Sequence, residues 1–287
     1  MVKTIGKKTK DEKISGRALF IIIWLALILL ILAAIFAVGL PDGGKSESIK
    51  EVMRDGVLHE NDRVSLFGLV KVNPAVISAY TVSALLIIVA VILRIFVIPR
   101  FDKYHPKKFQ CLMEKAVGIF YDMANTNSPH STSFVGAYIF SAGVYIFVST
   151  IFELFGLGVT TVSGGYASLP APLADINGAL GMGILSFAVI LGAGLVKNGI
   201  KGMLGALKDF SLPISMSFRL FGALLSGLLV TELVYYYTPL SFVLPVAVGV
   251  MFTLLHAIIQ TYVLATLVST FYGEAAEPKK KKQKNGK

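Results

Sequence analysis

The chain has 287 residues, 55% of them hydrophobic and only 15% charged. That balance excludes a soluble single-core protein and points to an all-α, polytopic membrane protein. The net charge of +10 does not argue for nucleic acid, because the lysines gather at the ends and in loops between apolar spans, the positive-inside pattern.

Residues 1–17 form a basic N-terminus and 18–40 are apolar throughout. Secretory apolar regions run about 7–15 residues, so 18–40 reads as an extra transmembrane helix with its N-terminus inside. A cleaved signal is the alternative, since Ala33, Ala34 and Ala37 supply small residues. Residues 41–74 hold five basic and six acidic side chains and a strand-like run at 63–72. They read as an outer loop.

Pro74 to Ile98 reads as the second helix, with Arg94 near its inner end and Arg100, Lys103, Lys107 and Lys108 following on the cytoplasmic side. From 108 to 120, apolar residues at 109, 112, 113, 116, 117 and 120 repeat at helical spacing. The segment is too polar to span and reads as one amphipathic surface helix. Cys111 within it reads as a buried small apolar residue; as the single cysteine it excludes an internal disulfide.

Ser133 to Leu157 reads as the third helix, with Glu153 near its outer end. That carboxylate either reaches outer headgroups or borders an ion path. An uncharged loop, 158–173, follows. Asp175 to Leu195 reads as the fourth helix. A helix dipole favours an acid in its first turn, which is one reading of Asp175. Lys197, Lys201 and Lys208 return the chain to the inside. A helix over 212–237 comes next, then a break at Pro239 and a last helix over 242–272. Thr253, His256 and Gln260 share one of its faces. These last two helices read as long and tilted, which brings the expected count to about six membrane helices. The basic tail, 277–287, stays inside.

Arg219 is the one cation that no loop or helix end explains. An arginine at bilayer depth costs about 2.5–3.5 kcal/mol on insertion scales and usually marks an ion path. A snorkelling arginine near a surface is the alternative, but no other charge lies within nine residues. At about 100° per residue, Ser215, Arg219, Gly222, Ala223 and Ser226 share a small, weakly polar face. Glu232 lies thirteen residues on, near the opposite face. No phosphate-binding glycine loop, metal-spaced cluster or nucleophile–base pair occurs, so the chain reads as a non-enzyme with no cofactor.

Ser217-Phe218-Arg219-Leu220-Phe221-Gly222, with Gln260-Thr261-Tyr262-Val263-Leu264 in the last helix, resembles the ATP synthase a subunit, the stator channel of the rotary F-type enzyme. The Lys108-Phe109-Gln110 entry to the surface helix and the Pro172, Asp175, Asn177 pattern are similar too. The family's asparagine after Arg-Leu-Phe-Gly is Ala223 here, and a polar position nine residues after the arginine is Leu228. The resemblance implies an a-subunit-like channel domain over 75–276 in the cell membrane of a bacterium. It also implies a c-subunit ring, a b-subunit stator stalk and the other F-type subunits as partners, within the lipid bilayer. Ion translocation would fall to Arg219, Gln260, Glu232, Glu153, Asp175 and His256. The coupling ion, a proton or Na+, stays open. Rival readings are a YidC-type membrane insertase and a secondary ion transporter; the latter expects internal repeats, and none is visible.

Six spans with both termini inside predict a labelling asymmetry. In a Cys111→Ser background, Lys45→Cys reacts with an impermeant thiol reagent from outside and Asn285→Cys does not. Equal reactivity from one side removes this topology.

Overall fold

The computed structural model describes residues 64–66, 70–160, 166–236 and 244–277. The expected helix at 18–40, most of the outer loop and the tail beyond residue 277 lie outside the described residues. The described part is all-α apart from two small hairpins. β1 (Val64–Leu66) pairs antiparallel with β2 (Val70–Val72), on the run expected to be strand-like.

α1 (Pro74–Ile92) starts where local chemistry dictates. Asn73 is its N-cap, and Asn73 Oδ1 accepts the Ala75 N–H at 3.1 Å. Pro74 sits in the first turn, where a missing N–H leaves no bond unmade. The helix runs on through a π turn, Leu93–Val97, and a 3-10 turn, Ile98–Arg100.

The turn after it is pinned by Gln110, which is buried. Gln110 Oε1 accepts the Asp102 N–H at 3.1 Å, and Nε2 donates to the Asp102 carbonyl and to Glu114 Oε1, each at 2.8 Å. This opens the amphipathic α2 (Lys108–Asn127). α2 folds back on α3 (Thr132–Phe152), with Phe120 edge-on to Phe140 at 5.6 Å. Cys111 is exposed rather than buried, because Gln110 takes the inward position beside it.

α3 tightens into a 3-10 turn, Glu153–Phe155, and ends at Gly156 in the left-handed region, φ 57°. The uncharged loop expected next holds a second hairpin, β3 (Gly158–Thr160) with β4 (Tyr166–Ser168). α4 (Ile176–Leu207) outlasts its expected end at Leu195, but not as a straight rod. Gly199 has φ 64°, and a Cβ added at Gly202 would overlap the Gly194 carbonyl. The chain therefore bends sharply at the lysine-rich inner end, as only glycine permits without strain.

α5 (Ser211–Tyr236) and α6 (Leu244–Ala276) complete the chain. Seven residues join them, fewer than a return along α5 would need, so the packed pair is antiparallel. Four described helices are long and apolar enough to cross a membrane: Pro74–Arg100, Pro129–Phe155, Ile176–Leu207 and Val246–Ala276. α5 includes positions whose side chains lie outside the described residues. At 33 residues, α6 exceeds the ~20 that cross a ~30 Å hydrocarbon layer upright, long enough for the tilted span expected of it.

α3, α4, α5 and α6 share one core that includes Ile139, Ile146, Met182, Ile190, Met216, Leu220, Leu264 and Val268. α1 joins through Val82, which packs with Phe152 and Leu169. Polar contacts tie the helices where apolar packing alone would let them slide. Tyr138 and Ser186 hydroxyls are 2.9 Å apart between α3 and α4. Ser128 Oγ donates to the Ser269 carbonyl at 2.6 Å and Asn127 Nδ2 to Ser269 Oγ at 2.8 Å. Asn198 Nδ2 donates to the carbonyls of Ala275 and Glu277, at 3.0 and 2.9 Å, and binds the end of α6 to the bend in α4.

Candidate functional site

α5 has two unlike sides. Leu212, Met216, Ser217, Leu220 and Leu224 are buried against the other helices. Ser215, Phe218, Arg219, Gly222 and Ser226 are exposed. The small face expected around Arg219 is thus real, and it points away from the other described helices. A Cβ at Gly222 would meet nothing within 4 Å. Among the described residues no carboxylate forms an ion pair with Arg219.

Gln260 lies on the other side of the matter. It is 7% exposed and shares the inward face of α6 with Ala257 and Leu264. One contact sets the register of the pair: a Cβ at Gly227 would lie 3.8 Å from His256 Nδ1. Four residues along α6, Gln260 comes level with Ala223, one helical turn or about 5.4 Å from the level of Arg219. Among the described residues no hydrogen bond joins Arg219 to Gln260. His256 is half-buried, its ring 5.9 Å from that of Phe252.

The same register places the acids. Five residues past Gly227, Glu232 reaches the level of Met251 on α6; its side chain lies outside the described residues. Glu153, half-buried, opens the 3-10 turn that packs against α6. Thr261 Oγ1 donates to the Gly143 carbonyl at 3.3 Å and locks α3 antiparallel to α6. Ten residues further out on each helix, Glu153 also comes to about the level of Met251. Two tiers result: Glu153 and Glu232 toward one end, Arg219 and Gln260 toward the middle, with His256 between them. Glu232 is about 20 Å along α5 from Arg219.

Asp175 stands apart from both tiers. It is the N-cap of α4, and its Oδ1 accepts the Asn177 N–H at 2.7 Å. Its Oδ2 accepts Asn73 Nδ2 at 2.7 Å. The capping residues of α1 and α4 are therefore bonded to each other across the fold. Asn73 was readable as the cap before Pro74, but nothing local in the sequence names its partner 102 residues on.

The two halves of this clamp separate a structural from an ionic role. Asn73→Ala loses both a cap and the cross-link, and lowers stability by about 1–2 kcal/mol, read as a lower thermal midpoint in detergent. Asp175→Asn keeps a good cap but removes the charge and one of the two acceptor oxygens, so it too loses the bond from Asn73. Ion flux slowed in Asp175→Asn but not in Asn73→Ala, which breaks the same bond, assigns Asp175 an ionic role; equal flux in the two variants leaves it a clamp.

Residues 80–273 match the family described as ATP synthase A chain. The match begins in the first turns of α1, takes in both tiers and the Asp175 cap, and ends in the last turns of α6. With two thirds of its length covered, the chain belongs to the ATP synthase A chain family, as a multi-pass membrane subunit of the F-type ATP synthase.

Proposed function

We propose that the chain is the stator half of a rotary ion motor, with Arg219 as its fixed charge. The observation that carries this reading is the exposed, small-sided face of α5 around an arginine with no ion-pair partner among the described residues. A guanidinium on an apolar helix needs an anion or water to face it. A passing carboxylate on a ring of c subunits supplies that anion, and the small residues beside Arg219 let the ring helix come close.

The steps follow from charge. A proton or Na+ enters on the side of Glu153, Glu232 and His256, with Asp175 a further candidate at the mouth. It neutralises a ring carboxylate, which then turns into lipid at low cost. As that carboxylate completes its circuit and nears Arg219, the guanidinium favours its ionised form, so the ion leaves toward the other side. The fixed charge also repels a cation that would pass directly between the tiers. One charge crossing 100 mV supplies about 2.3 kcal/mol, so several ions drive each ATP made elsewhere in the complex. Gln260, one turn away in the inner face of α6, limits how far the guanidinium can swing inward. A b-subunit stalk would hold the chain against rotation. The chain itself performs no bond chemistry in this reading.

Arg219→Ala abolishes ATP-driven ion pumping in reconstituted vesicles while subunit content stays normal. Arg219→Lys restores little, because a compact ammonium loses the fork and reach of the guanidinium. Normal pumping by Arg219→Ala vesicles overturns the proposal.

Glu232→Gln slows ion flux, and its assembly is unaffected. Flux equal to the parent complex removes Glu232 from the entry path.

A further inference from the structure

On the opposite side of α6 from His256 lies a groove of about 470 Å³ between α2, α3 and α6. Its walls are Phe120 and Met123 of α2, Phe140, Val144 and Phe147 of α3, and Ile258 of α6. The Thr261 hydroxyl at its floor already donates to the Gly143 carbonyl, so that hydroxyl asks nothing of an occupant. Gly143 itself has no room to fill the floor, since a Cβ there would meet the Phe120 ring at 2.8 Å. Such a lining suits an apolar occupant.

The volume lies within the range of sites that hold whole small molecules, about 300–1,000 Å³. A membrane-spanning helix, a cylinder ~30 Å long and ~10 Å wide, is several times larger. The charges at the rim narrow the choice further. Ala116, Ile119, Phe120 and Met123 face the groove, and Lys108 and Lys115, two turns apart, are exposed along one edge of that face. Their ammonium groups must stay among headgroups while their stems lie along apolar surface. Asp122 follows two turns further on that edge and confines an anionic head to the N-terminal half of α2. Tyr262, 61% exposed, stands at the α6 rim.

We propose that this groove holds an acyl chain of one anionic phospholipid, whose phosphate is met by Lys108 and Lys115. The lipid fills the wedge between the amphipathic α2 and the spanning α3, and so fixes the angle at which α2 lies.

A photo-crosslinking phenylalanine analogue at position 147 of the chain, in its complex in native membranes, tests this. Ile87 of α1, 63% exposed, carries the same probe as a control. After irradiation the adducts are identified by mass. Position 147 gives phospholipid adducts with an anionic share several-fold above that at position 87. Lys108→Glu with Lys115→Glu lowers that excess by about tenfold, given the pull of each lysine on anionic lipid. Lys108→Gln with Lys115→Gln, which does not reverse the charge, lowers it in the same direction. A polypeptide adduct at 147 overturns the proposal, as does an anionic share equal to the control. The comparison of 147 with 87 needs neither lysine variant and stands if both fail to assemble.

Discussion

A guanidinium on an apolar helix must face something other than hydrocarbon, and the rest of the fold answers to that demand. α5 meets it by turning its bulky residues inward. Leu212, Met216, Leu220 and Leu224 fill the shared core, which leaves Ser215, Gly222 and Ser226 beside Arg219 on the outside. Had the apolar stripe fallen on the arginine side, packing would have buried the charge or driven the helix from the bundle. At about 100° per residue, Leu220 and Leu224 lie about 100° and 140° round the helix from Arg219, whereas Leu212, at about 20°, is buried two turns away at the helix start.

An outward charge is useful only if its helix cannot roll. In lipid there is little hydrophobic force between helices, so orientation depends on close packing and interhelical hydrogen bonds worth about 0.6–2 kcal/mol each. The contacts are spread accordingly. α4 touches α5 closely enough that a Cβ at Gly183 would overlap Ser217 Oγ. Ser217 is the residue two before Arg219 and faces the other way, so this contact fixes the roll of α5. α6 is held at its far end by Ser128 and Asn198 and midway by Thr261. The close approach of Gly183 to Ser217 thus sets the direction of the arginine.

Much of this was legible where a local rule governs. The helix from Pro74 followed from its apolar run and the one from Lys108 from periodicity, and the composition of the Arg219 face followed from helical spacing. The exposure of Cys111 was not legible, because it depends on Gln110 taking the inward position to bind Asp102 and Glu114. The end of α4 was misplaced by twelve residues because Gly199 bends that helix back on itself instead of ending it. Asp175 read correctly as a helix-start acid, yet its bond to Asn73 belongs to tertiary structure. The resemblance grouped Gln260 with Arg219, but the Gly227–His256 contact is what sets them about one turn apart, and packing puts Gln260 inside and Arg219 outside.

The spacing of the tiers carries the last physical consequence. A carboxylate at about 4 Å from a guanidinium gains about 4 kcal/mol at an effective dielectric of about 20, whereas one at about 20 Å gains about 0.8 kcal/mol. Glu232, about 20 Å from Arg219 along α5, cannot therefore neutralise it, and Glu153 at the same level is no better placed. In the proposed function, Glu153 and Glu232 at this distance leave the guanidinium's field almost wholly for a carboxylate that arrives from a ring subunit. The same distance keeps a cation held beside them out of the arginine's repulsion. On that reading one separation serves cation entry at one level and anion stabilisation at another, which a single mixed cluster of the same residues could not do.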